Sequence, residues 1–149
     1  MKIDGFLKVP DITGPSVRDG HEEEIEVYGV EFEMVAPFDP NSLSRRGRVS
    51  LGMVNFIKHY DKSSPYLKKA LFDNTPLDEV KFSARRTIEG ETSDYLVITM
   101  KEASVTSYHM KPSVDEPDVI EERIGFAYKN ITFNYDDKDE VEMDVYVGK

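Results

Sequence analysis

The chain has no cysteine and no tryptophan, and only three of its 149 residues are histidine. Without cysteine there are no disulfides, no thiolate metal sites and no thiol nucleophile. No apolar run approaches the roughly 18–20 residues that cross a bilayer as a helix, so no membrane insertion is expected. The opening stretch MKIDGFLKVPDITG lacks the apolar centre of a secretory signal. Positive charge is scarce: 19 Lys and Arg stand against 29 Asp and Glu, a formal net charge of −10. A nucleic-acid-binding module wants the opposite sign, so no nucleic-acid partner is expected. What remains is 39% hydrophobic residues, 11% aromatic, which is enough for a core. The length fits a single domain, residues 1–149, able to bury roughly 68–70% of its unfolded surface without a staple.

Alternation with a period of two dominates. Val141, Met143, Val145 and Val147 alternate with Glu140, Glu142, Asp144 and Tyr146, the pattern of a strand with one wet face. Residues 3–9 read as a first strand, stopped by Pro10. Across residues 22–35 the phase slips: Ile25 and Val27 are odd, while Tyr28, Val30, Phe32 and Met34 are even. A slip of one residue turns side chains to the other face unless a bulge absorbs it. One long bent strand with a bulge at Tyr28–Gly29 is expected, the kind of bend that curls a sheet toward a barrel. A second slip lies within residues 119–135, between Ile120, Ile124, Phe126 and Tyr128 and then Ile131, Phe133 and Tyr135. Residues 48–60, 77–88 and 95–110 also fit long strands. About seven strands in all point to a sandwich or barrel.

One segment departs from this pattern. Ser64 suits a helix cap and Pro65 the first helical position. Leu67, Ala70 and Leu71 follow at helical spacing, with Lys68 and Lys69 outward. The helix spans about residues 64–74 and ends before Pro76. A helix this short is marginal alone, so its Leu67/Leu71 stripe must dock on the sheet. Two loops stand out. Residues 37–50 (PFDPNSLSRRGRVS) carry two prolines, a glycine and three arginines, with no core pattern over a length unusual for a compact domain. Residues 111–118 form a second, Pro-rich and acidic connection.

Candidate chemistry is thin. His21, His59 and His109 show no HxxxH or HxH spacing, and His21, beside Glu22–Glu24, reads as a solvated loop residue. Ser63 and Ser64 lack a GxSxG elbow, and the helix cap explains them. The many carboxylates read as the wet faces of strands. No P-loop and no GxGxxG occurs. No catalytic residue, metal site or cofactor site is therefore expected. Arg45, Arg46 and Arg48 form the one basic cluster of an acidic chain. They are either a solvated loop or a basic arm that meets an acidic surface on a second copy, since a molecule at −10 repels its own kind without local contrast.

Three segments, taken in order, resemble one family. The segment IDGFLKVPDITGPSVRDGHEEEIEVYG is similar to the N-terminus of the haemolysin-coregulated protein (Hcp) family, the tube protein of the type VI secretion system. The match rests on Phe6, Leu7, Lys8, Ile12, Gly14, Ser16, His21, Glu24, Ile25 and Val27. FIKHYDKSSPYLKKAL, with Asp61–Pro65 at its centre, resembles the family's strand-to-helix junction. LVITMKEASVTSYHM followed by EERIGFAYKNITFNY resembles its paired late strands. One departure is the missing tryptophan; Tyr28 or Phe32, and Phe133, occupy places where some relatives hold it.

The resemblance implies a mainly β fold: a curled β-barrel of two packed antiparallel sheets with one short outer α-helix. It implies a structural subunit, not an enzyme, and no cofactor. Its expected partners are copies of itself in a homohexameric ring that stacks into a hollow tube, a contractile sheath, a spike protein at the tip and small effector proteins in the lumen. Such a protein assembles in the cytoplasm and is then secreted without a signal peptide. The long loop of the family reaches neighbouring subunits or rings, which places Arg45, Arg46 and Arg48 at a subunit or ring-stacking interface. Two other readings compete. A monomeric barrel could hold a small apolar ligand in its mouth and would show an internal pocket. A carboxylate-dyad hydrolase would show a cleft with one carboxylate of raised pKa.

Overall fold

A computed structural model describes residues 2–42, 44, 45 and 47–145, and of Arg45 the backbone alone. Arg46, Tyr146 and Val147, singled out above, lie outside the described residues.

The centre of the fold is a hairpin of β9 (Leu77–Ile88) and β10 (Glu91–Pro112). It turns on Glu89 and Gly90, both left-handed at φ 52 and 81, the two-residue turn that suits the twist of paired strands. β10 is 22 residues long and belongs to two sheets. Its first half pairs with β9 on one edge and with β12 (Asn130–Tyr135) on the other. Its second half pairs with β11 (Ile120–Ala127). Beyond β12 lies β13 (Asp139–Asp144), and beyond β11 lies β8 (Val54–His59). On the far side of β9 come β1 (Asp4–Lys8) and then β2 (Ile25–Val27). β3 (Gly29–Glu31) flanks β8. Two antiparallel sheets thus share β10 and pack face to face, as the expected fold class requires.

The one long bent strand expected over residues 22–35 is instead two short strands, β2 and β3, and the strand breaks between them at Tyr28, the place of the expected bulge. β2 and β3 end the strand path on opposite sides, yet they are halves of one segment joined at Tyr28. Tyr28 bonds to both sheets: its carbonyl accepts from Ile3 N–H at 3.0 Å, and its own N–H donates to Ile57 O at 2.8 Å. The second phase slip falls at Tyr128–Lys129, between β11 and β12, with Lys129 N–H donating to Lys101 O at 3.0 Å.

Between the sheets Phe56 meets Phe82 and Phe126, with ring centroids 5.1 and 5.7 Å apart. Leu7, Ile25, Val54, Met100, Ile124 and Ile131 close around them, all fully buried. Each such side chain contributes about 1.5–3 kcal/mol relative to exposure. The middle of the barrel is filled by side chains.

The helix α1 (Ser64–Phe72) begins where expected and ends two residues early. Asp73 closes it and Asn74 takes a left-handed conformation at φ 53, a common way to stop a helix. Leu67 and Ala70 are buried and Leu71 half-buried, while Tyr66 and Phe72 point outward. The cap differs from expectation. Ser63, not Ser64, is the cap residue, and its side chain makes no capping bond. The Asp61 carboxylate instead accepts from Ser63 N–H at 2.8 Å and from its hydroxyl at 2.5 Å. Ser64 is drawn away because buried charges beneath the helix compete for its hydroxyl.

Residues 37–50 are not structureless. β4 (Met34–Val35) pairs with β7 (Ser50–Leu51), and further out β5 (Phe38–Asp39) pairs with β6 (Ser44–Arg45). The same arrangement interrupts the strand expected over residues 48–60. At Gly52 the chain presses on Glu33, whose carbonyl accepts from Gly52 N–H at 2.9 Å and would lie 2.9 Å from an added Cβ.

Candidate functional site

Three places gather polar or exposed apolar groups. The first is the projecting arm of residues 33–52. Three of its apolar side chains stay out of the core: Met34 and Val35 are 44% and 49% exposed, and Phe38 57%. Backbone register sets Arg45 opposite Phe38. Arg48 is exposed at the root of the arm. It borders an apolar recess of about 400 Å³ formed with Met34, Leu51, Met143 and Val145. Arg45 and Arg48 therefore share one arm, while Arg46 falls outside the described residues.

The second place is His21, which is not solvated. It is 5% exposed and stacks on Phe6, with centroids 4.4 Å apart and planes 6° from parallel. Its Nδ1 lies 2.7 Å from Glu24 Oε1, and its Nε2 lies 3.0 Å from Asp94 Oδ2. Arg85 Nε donates to Asp94 at 3.3 Å, and the guanidinium groups of Arg18 and Arg85 flank Phe6. The acidic run beside His21 suggests water, but the ring's apolar face packs on Phe6 and its nitrogens meet Glu24 of that run and Asp94 of β10. Both nitrogens are occupied by these contacts. The cluster fastens the loop before β2 to the β9–β10 hairpin.

The third place is a polar knot under α1. Lys58 Nζ lies 2.5 Å from Glu122 Oε1, and both side chains are fully buried. Ser64 Oγ accepts from Lys58 at 3.0 Å and donates to Glu122 Oε1 at 2.8 Å. The Tyr108 hydroxyl donates to Glu122 Oε2. Burial, then that bond, push the Tyr108 phenol well above the ordinary tyrosine range. Asp61 Oδ1 lies 3.2 Å from Lys58 Nζ. A serine beside a lysine could suggest an activated nucleophile. Here both are sealed from solvent and share one carboxylate, so the contact holds the helix. The signal lay in the alternation: Val54, Phe56 and Lys58 share one face of β8, and Glu122, Ile124 and Phe126 one face of β11. A charge at an inward position of each strand implied a pair.

Among the described residues no group of three or more His, Asp or Glu is arranged to hold a metal ion. Around Phe56 the core is lined by fully buried side chains, with the Phe82 ring centroid 5.1 Å away.

Comparison with known proteins fits this architecture. Residues 2–135 match the family model described as "Type VI secretion system effector, Hcp". "Protein hcp1" of Pseudomonas aeruginosa is 28% identical over 137 residues, which is 91% of this chain and 84% of the relative. "Major exported protein" of the same organism is 30% identical over 95 residues, 64% of this chain and 55% of the relative. Among solved structures, an Hcp protein crystal structure superposes with a TM-score of 0.87 at 19% identity, covering 99% of this chain and 100% of the other. Hcp1 from E. coli EAEC 042, in a mutant form, gives 0.84 at 23%, covering 98% and 99%. These structural likenesses speak for the fold. The family match spans most of the chain, from before β1 through β12, and the chain therefore belongs to the Hcp family of type VI secretion system proteins.

Proposed function

We propose that this chain, as a single domain over residues 1–149, is a tube subunit whose role is assembly. Six copies close into a ring, rings stack into a hollow tube within a contractile sheath, and a spike protein tips the tube. Small effector proteins travel in the bore. The subunit assembles in the cytoplasm and is then exported; the exported status named for one relative supports that last step.

The observation that carries this reading is the arm. A segment that holds Met34, Val35 and Phe38 in water, braced by its own short strand pairs, is built to meet something outside its own body. Arg45, Arg46 and Arg48 give the arm positive charge on an acidic molecule, and we assign them to contacts between subunits or rings. A second support is β13, which among the described strands pairs only with β12 and leaves its outer edge open. Ring closure covers such edges, which otherwise invite aggregation. The filled interior favours this reading over a ligand-holding barrel.

Electron micrographs of purified protein, taken across concentration and salt, test it. Rings are expected. If the basic arm drives stacking against a background of roughly −60 per ring of six, added salt dissolves stacks and leaves rings. A strictly monomeric species at every salt and concentration overturns the reading.

A further inference from the structure

Lys8 and Lys81 are register partners where β1 pairs with β9. Residues directly opposed in this way hold their Cβ atoms about 4.5–5.5 Å apart, and like charges so placed repel. Both side chains are exposed. Among the described residues neither ammonium takes part in a hydrogen bond or an ion pair. On a chain of net charge −10, two adjacent ammoniums without a carboxylate make a local spot of positive potential.

Alternation along β9 sets where they stand. Val80, Phe82 and Ala84 are buried in the core, so Lys81 and Ser83 lie on the outer face of the sheet. Ser83 is the register partner of Phe6, on which His21 stacks. Beside that stack the face sinks into a recess of about 520 Å³, lined by Lys8, Lys81, Ser83 and His21 among others. Its size is that of a small-molecule site. Ser83 is 3% exposed, and among the described residues its hydroxyl bonds to nothing. A hydroxyl withdrawn from bulk water without a partner is costly, and a ligand that accepts from it relieves the cost.

The carboxylates around the recess are engaged elsewhere. Glu24 meets His21 Nδ1, and Asp94 meets His21 Nε2 and Arg85 Nε. Glu79 stands opposite Lys101 where β9 pairs with β10. None of the three forms an ion pair with Lys8 or Lys81. One wall of the recess is therefore cationic, with a free hydroxyl beside it.

We propose that this recess is an anion site, in which Lys8 and Lys81 clamp a small oxyanion, a carboxylate or a phosphate group, and the Ser83 hydroxyl donates to one of its oxygens. An anion between the two ammoniums replaces a repulsion with charge-assisted bonds. The site is complete within one chain and does not depend on ring formation.

Thermal unfolding of the full chain tests it. Sodium phosphate, or in a second series sodium acetate, replaces sodium chloride at constant pH and ionic strength. A ligand that binds the folded chain raises its melting temperature. The unaltered chain is expected to respond in at least one series, and the series that responds tells phosphate from carboxylate. Lys8→Gln and Lys81→Gln change exposed positions and keep the fold. Each is expected to weaken half-saturation about tenfold, the loss of one charge-assisted bond. Lys101→Gln removes the same charge from the neighbouring strand, outside the recess, and is expected to leave half-saturation where it was. No response to either anion overturns the proposal. So does a response that Lys8→Gln and Lys81→Gln leave intact, or one that Lys101→Gln weakens equally.

Discussion

Lys58 and Glu122 face each other across β8 and β11 as register partners, joined by a 2.5 Å ion pair that no solvent reaches. Removing one partner strands the other charge in the core. Lys58→Met is expected to cost about 3–5 kcal/mol. Lys58→Met combined with Glu122→Leu is expected to cost less than the single change, because both charges leave together. Urea denaturation midpoints of the two variants decide this. A double variant less stable than Lys58→Met contradicts it.

Gly14 touches the start of β2 with backbone on both sides. An added Cβ would lie 2.5 Å from Glu24 O and from Ile25 Cα, atoms that no rotamer change can move. Gly14→Ala is expected to destabilise by about 1–3 kcal/mol through overpacking. Thermal unfolding would show the fall, and an unchanged melting temperature would mean that the 12–24 loop shifts freely.

Tyr128 donates to Gly52 O at 2.6 Å, and burial pushes its phenol up to about 12. Burial first, and then carboxylate neighbours, also push Tyr28 and Tyr108 upward. A phenol whose folded pKa is raised stabilises the fold fully below the unfolded value of about 10. That contribution is lost as pH rises from there through the folded value. Stability should therefore fall on the alkaline side, and Tyr128→Phe should flatten the fall between about 10 and 12. Ultraviolet titration of the folded chain should show Tyr28, Tyr108 and Tyr128 ionising late.

Phe38→Ser with Arg48→Glu alters only exposed positions on the arm. Stability should change by no more than about 0.5 kcal/mol per site, while stacked tubes disappear from micrographs. Stacking that survives in both low and high salt would remove the arm from the interface.

Much of this fold was legible because burial writes itself as alternation. β9 has the bounds that its pattern implied, whereas the slip at Tyr28 implied a bulge in one strand and is instead a break between two. The arm reads as a loop without core pattern because its pairs are two residues each, too short for a period to show. His21 was misread because its partners, Phe6 and Asp94, are 15 and 73 residues away in the chain. Only pairing of β1 with β9 and of β9 with β10 brings them together. Ser64 was misread for a similar reason: its local sequence announces a cap, but Glu122 on a distant strand claims the hydroxyl. Arg45, Arg46 and Arg48 stood out by composition alone, which identifies a patch but not what it touches.

The segment through Tyr28 fastens both sheets with one stretch of chain, and this bears on how the domain can come apart. Rims that ordinarily fray independently are here buckled together, since freeing Tyr28 loosens its segment from Ile3 beside β1 and from Ile57 of β8 at once. Amides of Val27 and Tyr28 should then exchange with solvent only in the same slow event that opens the whole body. A domain fastened this way yields all at once or not at all.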